Sequence, residues 1–415
     1  MTDATGAGAG GPASDGAGRA RDPIRALLDA GQSVWLDYIH RGILKSGEFK
    51  RMVEGGIRGV TSNPTIFEKA ITGSHDYDEQ ISKLIADGKS TTEAYEAVVV
   101  DDIRGAADTL RPVYDATGGA DGFVSVEVSP LLAHDTEGTI QEVRRWNSLV
   151  TRPNVMVKIP GTVEGVPAIE EMIAEGRHIN ITLLFSIEAY RKVQEAYLRG
   201  LERRVAAGQP VHQVASVASF FVSRIDTEAD KRLEARAAAA SPQQAEALLS
   251  LRGKVAVANA KLAYRLFQET FGGARWKALA SRGARVQRPL WASTSAKNPA
   301  YPDLLYVESL VGRDTINTLP PQTIEALRDH GRVVPDAVTQ GVDEAERVFA
   351  KLAELGISID AITQAVLDAG VQLFADSFNQ LMKAISARGQ DVTAGGRPAT
   401  GTAGGPAADR AGGRR

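Results

Sequence analysis

A short apolar stretch in the middle of the chain carries one charged residue. Residues 155–162 read VMVKIPGT, in which valine, methionine and isoleucine are followed by proline and glycine, as is typical of a buried strand. Lys158 is the charge within it. Because burying an unpaired ammonium is costly, such a group tends to lose its proton, and Schiff-base chemistry on a carbonyl requires a neutral amine. The alternative is a structural lysine whose ammonium reaches water from the end of a strand.

Polar side chains occupy comparable positions in three further strand-like runs. Successive side chains of a strand face opposite sides, so in GFVSVEV the valines share one face and Glu127 lies on the other. The same alternation turns Asp37 inward near the end of SVWLDY, and it places Asn180 and Thr182 together in HINITLL. Any one of these residues has a simple explanation as a buried polar group with a partner. Together with Lys158 they indicate an active site at one end of a sheet.

Eight apolar strand-like runs alternate with amphipathic stretches of helical periodicity. This alternation predicts a parallel sheet, and eight repeats predict a closed (β/α)8 TIM barrel, whose active site lies at the carboxyl ends of the strands. A doubly wound open sheet is the alternative, although no GxGxxG follows the first strand. The predicted strands are 33–38, 58–62, 122–128, 155–159, 178–184, 212–218, 286–293 and 315–318. The predicted helices include 23–30, 43–54, 77–87, 92–115, 137–150, 165–175 and 187–206.

Two segments exceed the eight repeats and are predicted to be extra helices after strands six and eight. The first, 226–281, is rich in alanine and charge, and we expect two helices with a break near Ser241–Pro242. The second spans 322–388, and its last helix, about 360–387, carries an apolar stripe that we expect to pack on the barrel. The stripe consists of Leu367, Val371, Phe374, Phe378 and Leu381.

Composition narrows the class of protein. The 415 residues carry a net charge of -3 with both signs interspersed, which argues against a nucleic-acid partner. The chain has no cysteine, and its six histidines form no HxH or HxxxH pair, so no metal and no cofactor are predicted. No apolar run approaches the ~18 residues of a membrane helix, and a cytoplasmic location is expected. The Gly/Ala-rich ends, 1–22 and 389–415, are predicted to be disordered tails around one domain, 23–388.

Six motifs together resemble one family, the transaldolases of the longer bacterial and plant-like type. The similarity runs from about residue 30 to 385, and the combination is specific although each motif alone is weak. The motifs are GVTSNP at 59–64, VSVEV at 124–128, VKIP at 157–160, NITLLFS at 180–186, SFFVSR at 219–224 and WASTSAKNP at 291–299.

The resemblance implies catalytic roles for four residues. Lys158 matches the Schiff-base lysine of the family, and Glu127 matches the carboxylate that moves protons through a bound water. Asp37 matches the acid/base aspartate beside the substrate hydroxyls. Thr182 matches the hydroxyl that positions the catalytic water.

Further matches imply substrate binding. Asn63 and Asn180 correspond to amides that hold substrate hydroxyls, and Ser219 corresponds to a substrate-binding serine. Arg224 matches the phosphate-binding arginine, and Ser295 falls on a serine that contacts the same phosphate.

One position departs from the pattern. Lys297 stands where many relatives have a second phosphate-binding arginine, and lysine provides a point charge without the bidentate fork of a guanidinium. A solvated loop lysine is the alternative interpretation of Lys297.

The activity implied by the resemblance is transfer of a ketone residue. A transaldolase moves a dihydroxyacetone unit between sedoheptulose 7-phosphate or fructose 6-phosphate and glyceraldehyde 3-phosphate or erythrose 4-phosphate, through a lysine Schiff base, in the non-oxidative pentose phosphate pathway. The expected partners are therefore sugar phosphates, with no nucleic acid and no membrane. The chain is expected to be a monomer or a homodimer, and the sequence does not decide between them.

Two other functions compete with this one. Small fructose-6-phosphate aldolases resemble transaldolases but are much shorter, and they carry Gln where this chain has Glu127 and Tyr where it has Phe221. A barrel retained as a binding module without catalysis is the second alternative. Loss of Lys158 or Glu127 would have favoured it, and both residues are present.

Overall fold

Eight parallel strands close into a barrel in the order of the chain. The computed structural model describes residues 22–395, with side chains to residue 388. Each strand pairs with its neighbour in sequence, and the first pairs with the eighth, which confirms the TIM barrel and excludes the open sheet. The strands are β1 (Gln32–Leu36), β2 (Gly59–Val60), β3 (Phe123–Glu127), β4 (Val155–Pro160), β5 (Ile179–Leu184), β6 (Ser216–Phe221), β7 (Arg288–Ala292) and β8 (Thr315–Leu319).

Helices surround the barrel and fill the connections between strands. In the first half of the chain they are α1 (Pro23–Asp29), α2 (Arg41–Lys45), α3 (Glu48–Glu54), α4 (Pro64–Thr72), α5 (Asp78–Ala86), α6 (Thr91–Ala116), α7 (Thr136–Val150), α8 (Gly165–Ala174) and α9 (Ile187–Ala206). In the second half they are α10 (Ser223–Ala237), α11 (Pro242–Leu249), α12 (Val255–Gly272), α13 (Ala274–Ala280), α14 (Leu305–Ser309), α15 (Pro321–His330), α16 (Val342–Glu354) and α17 (Ile359–Gly395). Short 3₁₀ helices lie at Pro130–Leu132 and Ala337–Thr339.

The sixth strand lies later in the chain than predicted. We expected 212–218, whereas β6 spans Ser216–Phe221. The residues before it form a turn, in which the Val214 amide donates to the Val211 carbonyl at 3.1 Å. Pairing with β5 begins at Ser216, opposite Ile179. The apolar alternation of 212–218 therefore includes the end of a turn, and the later start of β6 places the SFF segment in the barrel wall.

The insertion after β6 contains four helices, α10 to α13, and the expectation of two was wrong. The break near Ser241–Pro242 is confirmed, because Ser241 forms a capping box with Gln244 at the start of α11. Two further breaks occur at glycines. Gly253 adopts φ +69°, a conformation that L side chains rarely adopt, and Gly273 is extended between α12 and α13.

A polar cluster closes the amino end of the barrel. The buried carboxylate of Asp121 accepts hydrogen bonds from the Ser33 hydroxyl and from Nε1 of Trp35, the latter at 2.8 Å. Arg288, the first residue of β7, lies 3.3 Å from the same carboxylate and donates to the Ser33 hydroxyl at 2.7 Å. Because side chains fill this end, the carboxyl end is the open one, as in other barrels of this type.

The last helix lies over the outer helices at the carboxyl end. α17 contacts α4, α5, α6, α10 and β5. Phe374 and Leu381 of the predicted stripe are buried, and Phe378 packs edge-on against Tyr95 with ring centroids 5.5 Å apart. The expected packing of this stripe is therefore confirmed.

The ends of the chain differ from the prediction in one respect. α17 continues to Gly395 rather than ending near residue 387. Apart from Asp22 and the end of α17, the predicted tails lie outside the described residues. Within 22–395 no single helix has the length and apolarity to span a membrane, although α16 and the part of α17 up to Arg388, which meet at 94°, reach those values as a pair.

Candidate active site

The centre of the barrel mouth is a buried ion pair on adjacent strands. Glu127 of β3 and Lys158 of β4 are direct partners in the strand register. The Lys158 Nζ lies 2.9 Å from Oε2 of Glu127, and the two side chains are 5% and 3% exposed. The predicted burial of Lys158 is confirmed. A carboxylate on the neighbouring strand shares its pocket, so the amine of Lys158 does not lie in a purely apolar environment.

A backbone carbonyl fixes the direction of the lysine. Lys158 Nζ donates to the Ser62 carbonyl at 3.1 Å, and the Ser62 hydroxyl donates to the Ser125 carbonyl at 2.7 Å. β2 is only two residues long, so the chain leaves the sheet early and turns its Ser62 carbonyl inward. The lysine therefore has two oxygen partners that hold Nζ inside the mouth.

Burial dominates the electrostatics of Glu127. Desolvation raises the pKa of Glu127 above its ordinary value, and the positive charge of Lys158 opposes this rise. The negative charge of Asp37 raises it further. A carboxylate in this environment accepts a proton more readily than one in water, and its nearest basic neighbour is Lys158.

Asp37 lies directly after β1, two strands along the barrel from Glu127. Its amide donates to the Leu319 carbonyl at 2.8 Å, which extends the ladder with β8, and its Oδ1 accepts a hydrogen bond from the Thr61 hydroxyl at 2.6 Å. Burial raises the pKa of Asp37, while the Thr61 hydroxyl and the charges of Lys158, Lys297 and Arg224 lower it. The carboxyl therefore lies in the field of all three cations.

A chain of hydrogen bonds joins polar side chains of β3, β5 and β6 inside the barrel. Asn180 donates through Nδ2 to the Ser125 hydroxyl at 2.9 Å, and its Oδ1 accepts from the Ser219 hydroxyl at 2.7 Å. Thr182 lies two residues further toward the carboxyl end of β5. Its buried hydroxyl has no hydrogen-bond partner among the described residues. Asn180 and Ser219 are thus held rigidly, and the Thr182 hydroxyl is free for a ligand.

The outer rim of the mouth is cationic. Arg224 is the second residue of α10, and its guanidinium lies 5.4 Å from the centre of the Phe221 ring. Burial lowers the pKa of Arg224. Lys297 donates to the Ser295 hydroxyl at 2.9 Å, and its pKa is lowered by burial and by the charges of Arg224 and Lys69. Lys297 is therefore not an isolated loop lysine, because two other cations lie near it. The three positive charges together form an environment that favours an anion.

Asn63 has a structural role in addition to its predicted one. It is the N-cap of α4, and its Oδ1 accepts from the Ile66 amide at 2.9 Å. This bond turns the side chain so that only its NH₂ group is available to a ligand.

The C-terminal helix closes one side of the mouth. A Cβ added to Gly370 of α17 would lie 3.0 Å from Cδ2 of Leu183 and 3.5 Å from Nη1 of Arg224. Leu183 itself has φ +57°, at the point where the register between β5 and β6 shifts. The absence of a side chain at Gly370 allows the helix to approach Arg224 closely.

The structure brings all ten predicted residues to the mouth and adds three that the sequence reasoning missed. Thr61 bonds Asp37, the Ser62 carbonyl bonds Lys158, and Lys69 contributes to the field at Lys297. Thr61 and Ser62 belong to the TSNP motif, in which the sequence predicts a role only for Asn63. The position of this motif directly after a very short strand is the sequence feature that could have indicated Thr61 and Ser62. No feature of the sequence indicates Lys69.

A closed (β/α)8 barrel with a buried lysine–carboxylate pair, a second carboxyl and a cationic rim at its carboxyl end defines a barrel enzyme. Comparison with known proteins then identifies the family. A sequence profile described as "Transaldolase/Fructose-6-phosphate aldolase" matches residues 34–385. The chain belongs to the transaldolase family, and it is an enzyme of the transaldolase type.

Three relatives illustrate the similarity. Transaldolase 2 of Nostoc sp. is 48% identical over 367 residues, which cover 87% of this chain and 96% of the relative. The transaldolase of Thermobifida fusca is 48% identical over 365 residues, with 88% and 97% covered. The transaldolase of Thiobacillus denitrificans is 49% identical over 356 residues, with 86% and 97% covered.

The environment of Asp37 leads to a first prediction. Thr61→Val preserves the shape of the side chain but removes the hydroxyl that lowers the pKa of Asp37. We expect the pKa of Asp37 to rise further, as measured by a carboxyl ¹³C titration in which Asp37→Asn assigns the resonance.

Thr318→Val is the matched control. The Thr318 hydroxyl lies 2.6 Å from the Thr61 hydroxyl, and this variant removes that contact while the bond to Asp37 remains. An unchanged titration in Thr61→Val, or an equal shift in both variants, would contradict the assignment of the effect to the Thr61–Asp37 bond.

Proposed function

We propose that this enzyme transfers a dihydroxyacetone unit from sedoheptulose 7-phosphate or fructose 6-phosphate to glyceraldehyde 3-phosphate or erythrose 4-phosphate, through a Schiff base on Lys158. The observation that carries the proposal is the buried pair of Lys158 and Glu127 at the centre of the mouth. The family membership supports the same reaction. The reaction belongs to the non-oxidative pentose phosphate pathway.

The pair explains how a buried ammonium becomes a nucleophile. Lys158 must lose a proton before it attacks the ketose carbonyl, and Glu127, whose pKa is raised by burial, lies 2.9 Å away to receive it. The same proton then returns to the carbinolamine hydroxyl, which leaves as water. The free hydroxyl of Thr182 holds this water as it departs.

Cleavage of the carbon–carbon bond follows from the iminium. The iminium on Lys158 is an electron sink, so the C3–C4 bond breaks as Asp37 removes the proton of the C4 hydroxyl. The aldose phosphate leaves, and a three-carbon enamine remains on Lys158. The enamine attacks the carbonyl of a second aldose phosphate, and the steps reverse to release the new ketose.

The remaining predicted residues bind the sugar and its phosphate. Ser219 donates to Asn180, so its oxygen can accept from a substrate hydroxyl, and Asn63 presents its NH₂ group because its oxygen caps α4. Asn180 contributes the second proton of its amide. The phosphate lies in the cationic rim, where Arg224 offers a fork of donors and Lys297 with Ser295 offers a charge and a hydroxyl.

An aldolase that releases free dihydroxyacetone is the second candidate, since the matching family profile covers both activities. Two residues favour transfer. The chain has Glu127 where the small aldolases have Gln, and Phe221 where they have a tyrosine. Phe221 packs against Phe185 with ring centroids 5.2 Å apart and offers no proton to the enamine carbon.

The covalent role of Lys158 gives a direct test. Lys158→Ala should fold, as judged by circular dichroism, but lose turnover by about 10⁴-fold or more, the scale seen when a catalytic nucleophile is removed. Borohydride added with fructose 6-phosphate should inactivate the unmodified enzyme, and peptide mapping should find the adduct on Lys158. Lys192→Ala, an exposed lysine on α9, is the control and should behave as wild type. An adduct on another lysine would refute the assignment.

The phosphate role of Arg224 is tested by comparing two acceptors. Arg224→Ala should reduce kcat/KM for glyceraldehyde 3-phosphate by about 10–100-fold, since a charge-assisted hydrogen bond contributes about 1.5–3 kcal/mol. Transfer to unphosphorylated glyceraldehyde should change little. In a ping-pong reaction, kcat/KM for the acceptor depends only on the second half-reaction, so the donor does not obscure the result. The control is Arg236→Ala, which changes an exposed arginine on the same helix. Equal losses of kcat/KM for both acceptors in Arg224→Ala would show that Arg224 does not bind the phosphate.

An assay without an acceptor distinguishes transfer of the dihydroxyacetone unit from its release into solution. With fructose 6-phosphate alone, we expect one dihydroxyacetone unit to stay on the enzyme and free dihydroxyacetone to appear only slowly, because Phe221 cannot protonate the enamine. Addition of erythrose 4-phosphate should restore rapid turnover. Continuous release of dihydroxyacetone at a rate comparable to transfer would establish the aldolase instead.

A further inference from the structure

Helix α10 carries two buried carboxylates just after Arg224, and each binds two separate parts of the chain. Asp226 accepts from the Ala256 amide at 2.8 Å and from the Tyr306 hydroxyl at 2.9 Å. These bonds join α10 to the start of α12 and to α14. The donors offset part of the cost of burying the Asp226 carboxylate, which is 1% exposed.

Asp230, one turn further along α10, makes a similar pair of bonds. Its Oδ1 accepts from the Gly253 amide at 3.1 Å, and its Oδ2 accepts from the Tyr301 hydroxyl at 2.5 Å. Burial and this bond raise the pKa of Tyr301 to about 12, so the phenol keeps its proton at neutral pH and donates it. A Cβ at Gly253 would lie 2.8 Å from Cζ of Tyr301, so the ring lies directly on this glycine.

The two Tyr–Asp pairs, Tyr301–Asp230 and Tyr306–Asp226, connect the two halves of the cationic rim. Arg224 precedes both aspartates on α10. Lys297 belongs to segment 293–304, which follows β7, contains Tyr301 and ends just before α14, the helix that carries Tyr306. A cavity of about 420 Å³ is lined by all four members of the pairs and also by Lys297. The pairs therefore share a wall with the rim.

Segment 293–304 is fastened at its two ends. At its start, the Ser293 carbonyl accepts from the Ser223 amide at 3.0 Å, and the Thr294 hydroxyl donates to Asn317 at 2.8 Å. From residue 295 to 300, the hydrogen bonds found among the described residues all stay within the segment. The next bond to another element is that of Tyr301 to Asp230. Asp303, further along the segment, lies 3.1 Å from His330 of α15. The bonds to other elements that are nearest to Lys297 are therefore those of Thr294 before it and Tyr301 after it.

We propose that Tyr301 and Tyr306 are positioning residues for phosphate recognition: their bonds to α10 hold segment 293–304 so that Lys297 and Ser295 face the same phosphate as Arg224. The proposal rests on the phosphate role given to the rim above. An arginine at position 297 would direct its hydrogen bonds by the shape of its guanidinium, which a lysine lacks. The proposal explains how Lys297 can act there, because its segment is fixed to the helix that carries Arg224.

Single-atom variants test the proposal with the native enzyme. Tyr301→Phe and Tyr306→Phe each remove one hydroxyl and leave the ring in place. We expect Tyr301→Phe to lower kcat/KM for glyceraldehyde 3-phosphate several-fold through a higher KM, with kcat/KM for unphosphorylated glyceraldehyde unchanged. Tyr306→Phe should act in the same direction. Inorganic phosphate should inhibit transfer to glyceraldehyde less strongly in both variants than in wild type.

Tyr197→Phe is the matched control for loss of a buried tyrosine bond. The Tyr197 hydroxyl donates to the Arg285 carbonyl at 2.7 Å, on the outside of the barrel. This variant should lose stability in thermal unfolding without any change in acceptor preference. A loss confined to the phosphorylated acceptor in Tyr301→Phe supports the positioning role; no loss, or equal losses for both acceptors, overturns it.

The two variants Arg224→Ala and Tyr301→Phe distinguish failure of the proposed function from failure of this inference. If Arg224→Ala discriminates between the acceptors and Tyr301→Phe does not, the phosphate site stands and the positioning role is refuted. If neither variant discriminates, the rim does not bind the phosphate, and the proposed substrate orientation fails with it.

Discussion

The site depends on one expensive interaction, the burial of Lys158 beside Glu127. Removing two charges from water costs several kcal/mol per ion, and such a pair often contributes nothing to stability compared with apolar residues of the same size. The pair here lies 2.9 Å apart and almost fully buried on two adjacent strands. Stability alone does not account for it. In the proposed reaction, its chemical value is that one proton moves between an amine and a carboxylate that are both buried.

The barrel supplies the geometry that this pair requires. In a parallel barrel, residues at the same level of adjacent strands point the same way, so the direct register of Glu127 with Lys158 places their side chains together. The register of Lys158 with Asn180 continues the same layer into β5. The amino end is closed by the Asp121 cluster, and the polar groups of the mouth therefore face only one opening.

The periodicity of the sequence predicts two features of this site, the inward-facing residues of the strands and the barrel itself. Alternation along a strand placed Glu127, Lys158 and Thr182 on the inner face without knowledge of the fold, and the repetition of strand and helix gave the barrel. Periodicity does not predict features that tertiary contacts determine. The turn before β6 has the apolar pattern of a strand, so the predicted start of β6 is too early.

Other features could not be read from local patterns at all. The partner of Lys158 on the next strand depends on register, and the Ser62 carbonyl is a backbone group that no side-chain pattern reveals. The insertion after β6 contains four helices rather than two because the chain also breaks at Gly253 and Gly273. Gly253 lies in a turn, and the ring of Tyr301, which is distant in the sequence, packs directly on it. Contacts of this kind join residues far apart in the chain, and only the folded structure displays them.

The charges of the mouth are graded in depth, and in the proposed reaction this gradient orients the substrate. Lys158 is buried at the centre, whereas on the cationic rim Arg224 is partly buried and Lys297 is exposed. A neutral carbonyl loses little on entering an apolar layer, whereas a phosphate dianion loses much of its hydration and stays where cations and water are both near. In the proposed reaction, a ketose phosphate therefore enters with its carbonyl toward Lys158 and its phosphate toward Arg224. Asp37, in the field of all three cations, is proposed to act on the carbons between these two ends.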